Sequence, residues 1–204
     1  MNILDNRPLA EQKSDGTFKR VISRGRKLSS IRYKEYSYWL NMNTRCNNKK
    51  YSDLYPTYEE VSMSEYFKNY NNFVVWCREQ PEFFKVNWVL DKDIIKPKNK
   101  IYHEDLCCFV PHQVNGFFTF NKSRGNNLPL GVSWSESEGK YKSYCARLDG
   151  RNKTLGRFDN PYDAFSAYVK YKNNLAKCLA DTWEGEVGDK VVEVLRNFNV
   201  IDYL

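Results

Sequence analysis

The stretch LGVSWSESEGKYKSYCARLDGRNKTLGRFDNPYDAF, residues 130–165, decides the fold of the C-terminal half of the chain. Three short runs with β-branched and aromatic residues are separated by the polar turns SESEG and DGRN, and the Asp-Gly pair is a strong hairpin signal. Pro161 then begins an apolar pattern of helical spacing, with Asp159 or Asn160 as its N-cap. We therefore expect a three-stranded antiparallel sheet packed on one helix.

Alternation along the middle strand of this sheet separates its side chains onto two faces. The face that the helix leaves free carries Lys140, Lys142 and Tyr144. A basic and aromatic sheet face of this kind can enter the major groove of DNA, which is roughly 12 Å wide. The pattern therefore favours a nucleic-acid partner over an ordinary solvated sheet.

The N-terminal half predicts helices followed by a β-hairpin. Apolar residues at helical spacing predict a helix of about 12 residues from Tyr33 and a second helix from Ser64. We expect strands over residues 86–95 and 100–110, joined by a Lys-Pro-Lys-Asn turn, and then a short helix from Pro111. The order is strand, strand, helix.

The whole chain is therefore expected to be an α+β protein with two compact units. Its 204 residues and 41 % hydrophobic content can support packed cores. The run NKSRGNNLP has no apolar period and is typical of a linker. The expected divisions are a flexible basic arm (1–30), the helical and hairpin unit (31–120), a linker (121–129), the sheet-and-helix unit (130–184) and a C-terminal tail or helix (185–204).

The net charge of +7 is concentrated in two segments. Residues 19–34 contain seven Lys or Arg and no acid, and residues 140–157 contain six against Asp149 alone. Clustered cations release condensed counterions when they meet phosphates, so this distribution favours a polyanion. The alternative is that both segments are solvated faces.

The cysteines and the hydropathy limit the class of protein further. Six scattered cysteines without a C-x-x-C pair are expected to be reduced packing thiols, with no structural zinc. No run reaches the roughly 18 apolar residues of a membrane span, and the N-terminus lacks the pattern of a signal peptide. We expect a soluble, cytoplasmic protein with no membrane partner.

The C-terminal unit resembles the ethylene-response-factor type of DNA-binding domain. The resemblance covers residues 129–183. Four short motifs occur in the family's order and spacing: GV (131–132), GKY (139–141), LGRF (155–158) and AY (167–168). It implies that the sheet binds double-stranded DNA. Several positions that hold arginine in the family are serine, asparagine or threonine here, so no GC-rich target is implied.

The DNA-binding residues follow from this resemblance and from the basic segments. Carried over from the family, the sheet contacts are Ser133, Ser135, Lys142, Tyr144, Asn152 and Thr154, with Tyr168 near the DNA backbone. The cations that complete the expected set are Lys140, Arg147 and Arg157 in the unit and Arg24, Arg26 and Lys27 in the arm.

The predicted hairpin carries residues suited to hydrolysis of a phosphodiester. This reaction needs a divalent cation, a base that activates water and a scaffold that fixes both. Asp91, Lys92 and Asp93 lie on the first strand, Asn99 lies in the turn, and Asn115 lies on the helix. Oxygen ligands of this sort suit Mg²⁺ or Mn²⁺.

The first unit resembles the HNH, or His-Me finger (ββα-metal), endonucleases. It is most similar to phage homing endonucleases that carry a C-terminal DNA-binding domain of the ethylene-response-factor type. The supporting runs are YSYWLNMNTRC (36–46), LDKD (90–93), KNKIY (98–102) and CCFVP (107–111). The resemblance implies a phage-encoded, metal-dependent endonuclease that acts in the host cell. Its metal ligands would be Asp91, Asn115 and Asp93.

The sequence departs from this family at the general base, because Lys92 stands where the family has histidine. Lys92 could be the base or a phosphate clamp, His103 could be the base, or cleavage could be lost. Asn99 is a third candidate for the catalytic set, although it could equally be the left-handed residue of a turn. The family's motif also has a central asparagine. At the corresponding position this chain has either Leu106 or Asp105, and the sequence does not decide between the two alignments.

Two functions from different classes remain in view. The first is a site-selective endonuclease that nicks or cuts double-stranded DNA. The second is a DNA-binding regulator whose nuclease unit is only a scaffold. Binding to RNA is a third interpretation of the charge, and the oligomeric state is open between monomer and homodimer.

Overall fold

The computed structural model describes residues 34–120 and 127–204 in full, and residues 10–12, 18–20 and 30–33 as backbone elements only. Strands β1 (Ala10–Gln12) and β2 (Phe18–Arg20) form an antiparallel pair. The remainder of the predicted basic arm, with Arg24, Arg26 and Lys27, lies outside the described residues.

The N-terminal half is helical, as expected, but its second predicted helix is split in two. The helices are α1 (Ser30–Asn47), α2 (Lys49–Leu54), α3 (Glu65–Lys68) and α4 (Tyr70–Glu79). Asn69 interrupts the second helix because its backbone is extended, and its side chain accepts a hydrogen bond from the N–H of Asn71. Ser64 caps α3 in the same way, accepting from Phe67.

The hairpin is shorter than the sequence predicts. This region contains five elements: β3 (Ser62–Met63), β4 (Trp88–Asp91), β5 (Ile101–Tyr102), β6 (Cys108–Pro111) and helix α5 (His112–Phe117). The hairpin itself consists of β4 and β6. Strand β4 pairs antiparallel with β6, whereas β5 pairs in parallel with β3. The expected strands over 86–95 and 100–110 were therefore wrong in extent, although the order of strand, strand and helix is confirmed.

Two reciprocal, buried hydrogen bonds between Lys92 and Asn99 explain why the two long strands do not form. The Lys92 ammonium donates to the carbonyl of Asn99 at 2.7 Å, and the Asn99 amide donates back to the carbonyl of Lys92 at 2.7 Å. Both side chains are buried. These bonds close residues 92–99 into a loop, so the chain after Asp91 leaves the ladder.

The C-terminal half forms the predicted sheet and helix. Its elements are β7 (Val132–Ser135), β8 (Lys140–Ala146), β9 (Asn152–Phe158), α6 (Pro161–Trp183) and α7 (Asp189–Arg196). The strand order is β7-β8-β9, antiparallel throughout, and α6 packs on the sheet. Asn160 caps α6, since its side chain accepts from the N–H of Asp163. The α+β class is thus confirmed.

One close approach fixes α6 against the sheet. Gly131 has a positive φ of 74°, and a Cβ added there would lie 2.2 Å from Cδ2 of Tyr168. Only glycine fits under this ring. Tyr168, which the resemblance places near the DNA backbone, is therefore a buried packing residue of α6.

Side chains from both predicted units share one hydrophobic core. The rings of Trp88 and Trp183 meet edge to face with centroids 5.9 Å apart. The indole of Trp183 also donates to Gln113 of α5 at 2.8 Å, and Lys85 forms an ion pair with Glu186. Helix α6 thus packs on β4 and α5, in addition to the connection through the intervening chain.

Three further short segments are 3₁₀ helices: Pro56–Tyr58, Pro81–Phe84 and Val200–Tyr203. All six cysteines are free thiols. No helix in the described ranges is both long and apolar enough to cross a membrane.

Candidate DNA interface and metal site

The outer face of the sheet presents a row of three paired residues. Ser133, Lys142 and Arg157 lie side by side in register across β7, β8 and β9. On the inner face, Ser143 and Cys145 are buried towards α6. Burial alternates as predicted over residues 142–145 of β8, and in the polar row Arg157 is exposed whereas Ser133 and Lys142 are half-buried.

The cations of this face already have acidic partners. Glu138, in the turn between β7 and β8, accepts from Arg157 Nε at 2.6 Å and from Arg157 Nη2 at 3.1 Å, and it lies 3.3 Å from Lys142 Nζ. The bonds from Arg157 lower the pKa of the Glu138 carboxyl below its usual value. Lys140 is paired with Asp159. Neither acid was predicted from the sequence as a partner of these cations; Asp159 was considered only as an N-cap of α6.

The other expected DNA contacts lie around the β8–β9 hairpin. Tyr144 and Thr154 are paired in register, and Asn152 and Thr154 are exposed. Arg147 is exposed and lies 3.4 Å from Asp149. Ser135 differs from the rest, because it is buried and its hydroxyl faces that of Ser137 at 3.4 Å.

Asp91 lies at the end of β4 and is oriented by the loop that follows. Its Oδ1 atom accepts from the N–H of Asp93 at 2.7 Å and of Ile94 at 2.9 Å. Its Oδ2 atom takes part in neither bond. Burial raises the pKa of the Asp91 carboxyl, because desolvation disfavours its charged form. A cation near Oδ2 would offset this penalty.

Lys92 and Asp93 point into the same loop. Lys92 Nζ lies 2.5 Å from Asp93 Oδ1 and also donates to the Asn99 carbonyl. The Asn99 amide donates to Ile101 as well, at 2.7 Å, so it joins both ends of the loop. Lys98, with φ of 59°, is the left-handed residue of the turn, and Asn99 is not. These contacts make Lys92 and Asn99 structural residues of the loop; a catalytic role stays a prediction.

Asn115 lies on α5, which packs against β4 and β6. The residue is half-buried, and its carbonyl accepts from the N–H of Phe118, whereas its side-chain amide forms no hydrogen bond within residues 34–120 and 127–204. Within those residues, no group of three or more His, Cys, Asp or Glu side chains is placed to hold a metal ion. Asp91 at the end of β4 and Asn115 on α5 are separate oxygen donors, which as a pair would suit a cation that keeps water and substrate oxygens as its other ligands.

The two histidines have different surroundings. His103 accepts at Nδ1 from the N–H of Asp105 at 3.2 Å, and the carboxylates of Glu104 and Asp105 lie 3.6 and 3.7 Å away. His112 is exposed at the start of α5. In the described part of the chain, no hydrogen bond or ion pair joins either imidazole to Asp91.

A group from α1 lies beside the loop and was missed from the sequence. Arg45 Nη1 donates to the hydroxyl of Tyr102 at 2.9 Å, and the guanidinium lies 5.1 Å from the ring centre of Tyr58. The Lys92 ammonium lies 5.9 Å from the ring centre of Tyr102. Burial raises the pKa of Tyr58, Arg45 opposes this rise, and the carboxylates of Asp93 and Asp91 add to it. No local pattern in the sequence predicts this contact between distant segments.

Comparisons with known proteins assign no family to this geometry. No protein-family model matches the chain, and no curated protein or solved structure matches it. The resemblances described above therefore depend on the quoted residues alone.

Proposed function

We propose that this protein is a metal-dependent, site-selective endonuclease of double-stranded DNA. One observation carries the proposal: the outer row of Ser133, Lys142 and Arg157 lies on a sheet whose other face α6 covers. A sheet with one free polar face can enter the major groove. The same molecule holds the hairpin β4–β6 and helix α5 in the order that the ββα-metal resemblance requires.

The sheet would select the site, since hydrogen-bonding side chains on its face can contact base edges. Lys140, Lys142 and Arg157 would contact phosphates or guanine once their acidic partners are displaced. The exposed hairpin residues Asn152 and Thr154 extend this surface. Such an interface predicts binding that weakens steeply as salt increases.

The hairpin would hold the cation. Oδ2 of Asp91, the side-chain oxygen of Asn115 and Oδ2 of Asp93 take part in none of the described hydrogen bonds or ion pairs. A bound Mg²⁺ or Mn²⁺ would stabilise the charge that develops on the scissile phosphate. Lys92 orients this site through its bonds to Asp93 and to the Asn99 carbonyl. His103 and Lys92 are the candidates for the base that accepts the proton of the attacking water. Substituting each residue separately would distinguish them.

A plasmid assay tests the proposal. Supercoiled DNA that contains a selected binding site is incubated with the protein and Mg²⁺ or Mn²⁺. We expect nicked or linear product from the wild type, and none from Asp91→Ala or Asn115→Ala. Asp53→Ala, an exposed acid on α2, serves as the control and should retain cleavage. An Asp91→Ala variant that cleaves like the wild type would refute the assignment of the metal site.

The second candidate is a DNA-binding regulator without cleavage. The position and contacts of Lys92 favour it, because a buried ammonium bonded to a carbonyl replaces the expected histidine. This function predicts site-selective binding to duplex DNA with no product under any divalent cation. Preference for RNA over duplex DNA at matched salt would contradict both functions.

A further inference from the structure

A cavity of ≈ 470 Å³ lies where the two predicted units meet. One wall is formed by α5 and the residues after it, including Phe117 and Phe120, and the opposite wall by the sheet and α6, including Tyr144 and Tyr168. Its volume lies in the range of about 300–1,000 Å³ that is typical of small-molecule sites. Four aromatic rings therefore surround a space large enough for one nucleotide.

The charge of the cavity walls has one sign. The cations Lys172 and Arg147 line it, and none of the lining residues, all of which the structure describes, is an acid. Outside the cavity lining, the carboxylate of Asp149 lies 3.4 Å from Arg147. A wall of this composition favours an aromatic anion over a cation or a neutral apolar ligand.

Lys172 is the unusual residue of the cavity. It is 7 % exposed, and its ammonium donates to the Phe117 carbonyl at 2.7 Å while lying 3.7 Å from the centre of the Phe117 ring. An ammonium has three donors, and no second acceptor for Lys172 is found in residues 34–120 or 127–204. Burial lowers its pKa from 10.5 to about 8. An anion in the cavity would supply the missing partner.

The cavity continues the surface that is expected to bind DNA. Tyr144, Arg147 and Asn152 line the cavity and also belong to that expected surface. On the other side, α5 contributes Gln113 and Gly116, which lie two residues before and one residue after the candidate metal ligand Asn115. A DNA strand that runs from the sheet to the hairpin would pass this opening.

We propose that the cavity binds one unpaired nucleotide of the DNA strand, with its base against the aromatic rings and its phosphate beside Lys172 and Arg147. Stacking of a base on aromatic side chains needs no particular sequence, so the site would add affinity without base selection. The proposal rests on the proposed DNA-binding function. It adds to it a preference for DNA with an unpaired nucleotide near the bound site.

Titration with thymidine 5′-monophosphate tests the inference on the full chain. Backbone and indole N–H signals are followed by NMR while the nucleotide, thymidine or inorganic phosphate is added. We expect shifts around the cavity with the nucleotide, and weaker or no shifts with thymidine or phosphate alone. Lys172→Met and Arg147→Gln should each raise the nucleotide dissociation constant about tenfold, since each removes a charge-assisted bond to the phosphate.

Matched variants distinguish this site from general electrostatics. Lys170→Met removes an exposed lysine of the same helix, and Arg151→Gln removes an exposed arginine of the same hairpin; neither residue lines the cavity, so both should bind the nucleotide like the wild type. Arg147→Gln changes only an exposed side chain, so it tests the site even if Lys172→Met fails to fold.

Three outcomes would overturn the inference: no binding of the nucleotide, equal binding of phosphate alone, or equal losses in the control variants. A parallel shift assay with intact duplex DNA separates this failure from failure of the proposed function. Duplex binding without nucleotide binding refutes the cavity site only. Absence of both refutes the cavity site and the DNA-binding function together.

Discussion

Glu138 holds Arg157 across the outer face of the sheet through two hydrogen bonds, to Nε at 2.6 Å and to Nη2 at 3.1 Å. This two-point contact fixes the plane of the guanidinium and leaves Nη1 outside the pair. Because Lys142 lies 3.3 Å from the same carboxylate, one acid balances two cations. The carboxylate lies where a phosphate of bound DNA would meet these side chains.

Glu138→Gln should therefore bind duplex DNA more tightly, by about fivefold at moderate salt, because one more positive charge becomes available to the phosphates. The slope of log K against log salt should become steeper by about 0.9. Glu136→Gln, an exposed acid of the same turn, is the control and should show a smaller gain. Affinities measured by fluorescence anisotropy across a salt series check this. Weaker binding by Glu138→Gln would mean that the carboxylate orients Arg157 for contact with a base.

The sheet and its helix could be predicted from sequence because their signals are local. The Asp-Gly turn, the N-cap Asn160 and the helix start at Pro161 each specify structure within a few residues. The ion pairs of Glu138 could not be predicted in this way. They depend on a turn between β7 and β8 that brings this acid next to β9, a strand with which β7 does not pair.

The hairpin was predicted less well because non-local contacts decide its length. The segment 100–110 reads as one strand, but Ile101–Tyr102 pairs with Ser62–Met63, nearly forty residues earlier in the chain. The reciprocal bonds of Lys92 and Asn99 are equally invisible to a pattern of apolar residues. The burial of Lys172 could have been predicted from the sequence. It lies four residues after Tyr168 and four before Ala176, so all three lie on the same, buried face of α6.

Asn99→Ala should destabilise the fold by about 2–4 kcal/mol, because it leaves buried carbonyl groups of Lys92 and Ile101 without donors. Urea unfolding followed by tryptophan fluorescence measures the change. Asn174→Ala, an exposed asparagine on α6, should change the free energy of unfolding by less than about 1 kcal/mol. Equal stability of the two variants would show that the Asn99 amide does not hold the loop.

Lys172 should give the stability an unusual dependence on pH. Its pKa is about 8 in the folded protein and near 10.5 in the unfolded chain, so between these values the unfolded state binds more protons. The free energy of unfolding therefore receives a contribution that rises with pH, by about 2 kcal/mol from roughly pH 7 to roughly pH 9.5. Below about pH 8 the lysine is charged in both states, and its burial penalty is fully present.

Lys172→Met should remove this rise, whereas Lys170→Met should keep it. The comparison uses the difference between each variant and the wild type, because tyrosines and cysteines also titrate at high pH. Urea titrations at several pH values provide the free energies. An identical pH profile for Lys172→Met and the wild type would show that Lys172 keeps an ordinary pKa.

Asp91→Asn separates the structural role of this residue from its proposed role as a metal ligand. An amide oxygen can still accept from the N–H groups of Asp93 and Ile94, so the free energy of unfolding should change by no more than about 1 kcal/mol. Loss of the charge removes the anionic ligand, and cleavage should fall at least about 100-fold.

The wild-type rate should rise with pH through the raised pKa of Asp91, because only the carboxylate binds a cation well. Plasmid cleavage across a pH series, with urea unfolding of the same preparations, measures both effects. A stable Asp91→Asn protein that cuts as fast as the wild type would place the cation elsewhere, whereas a large loss of stability would mean that the charge itself holds the loop.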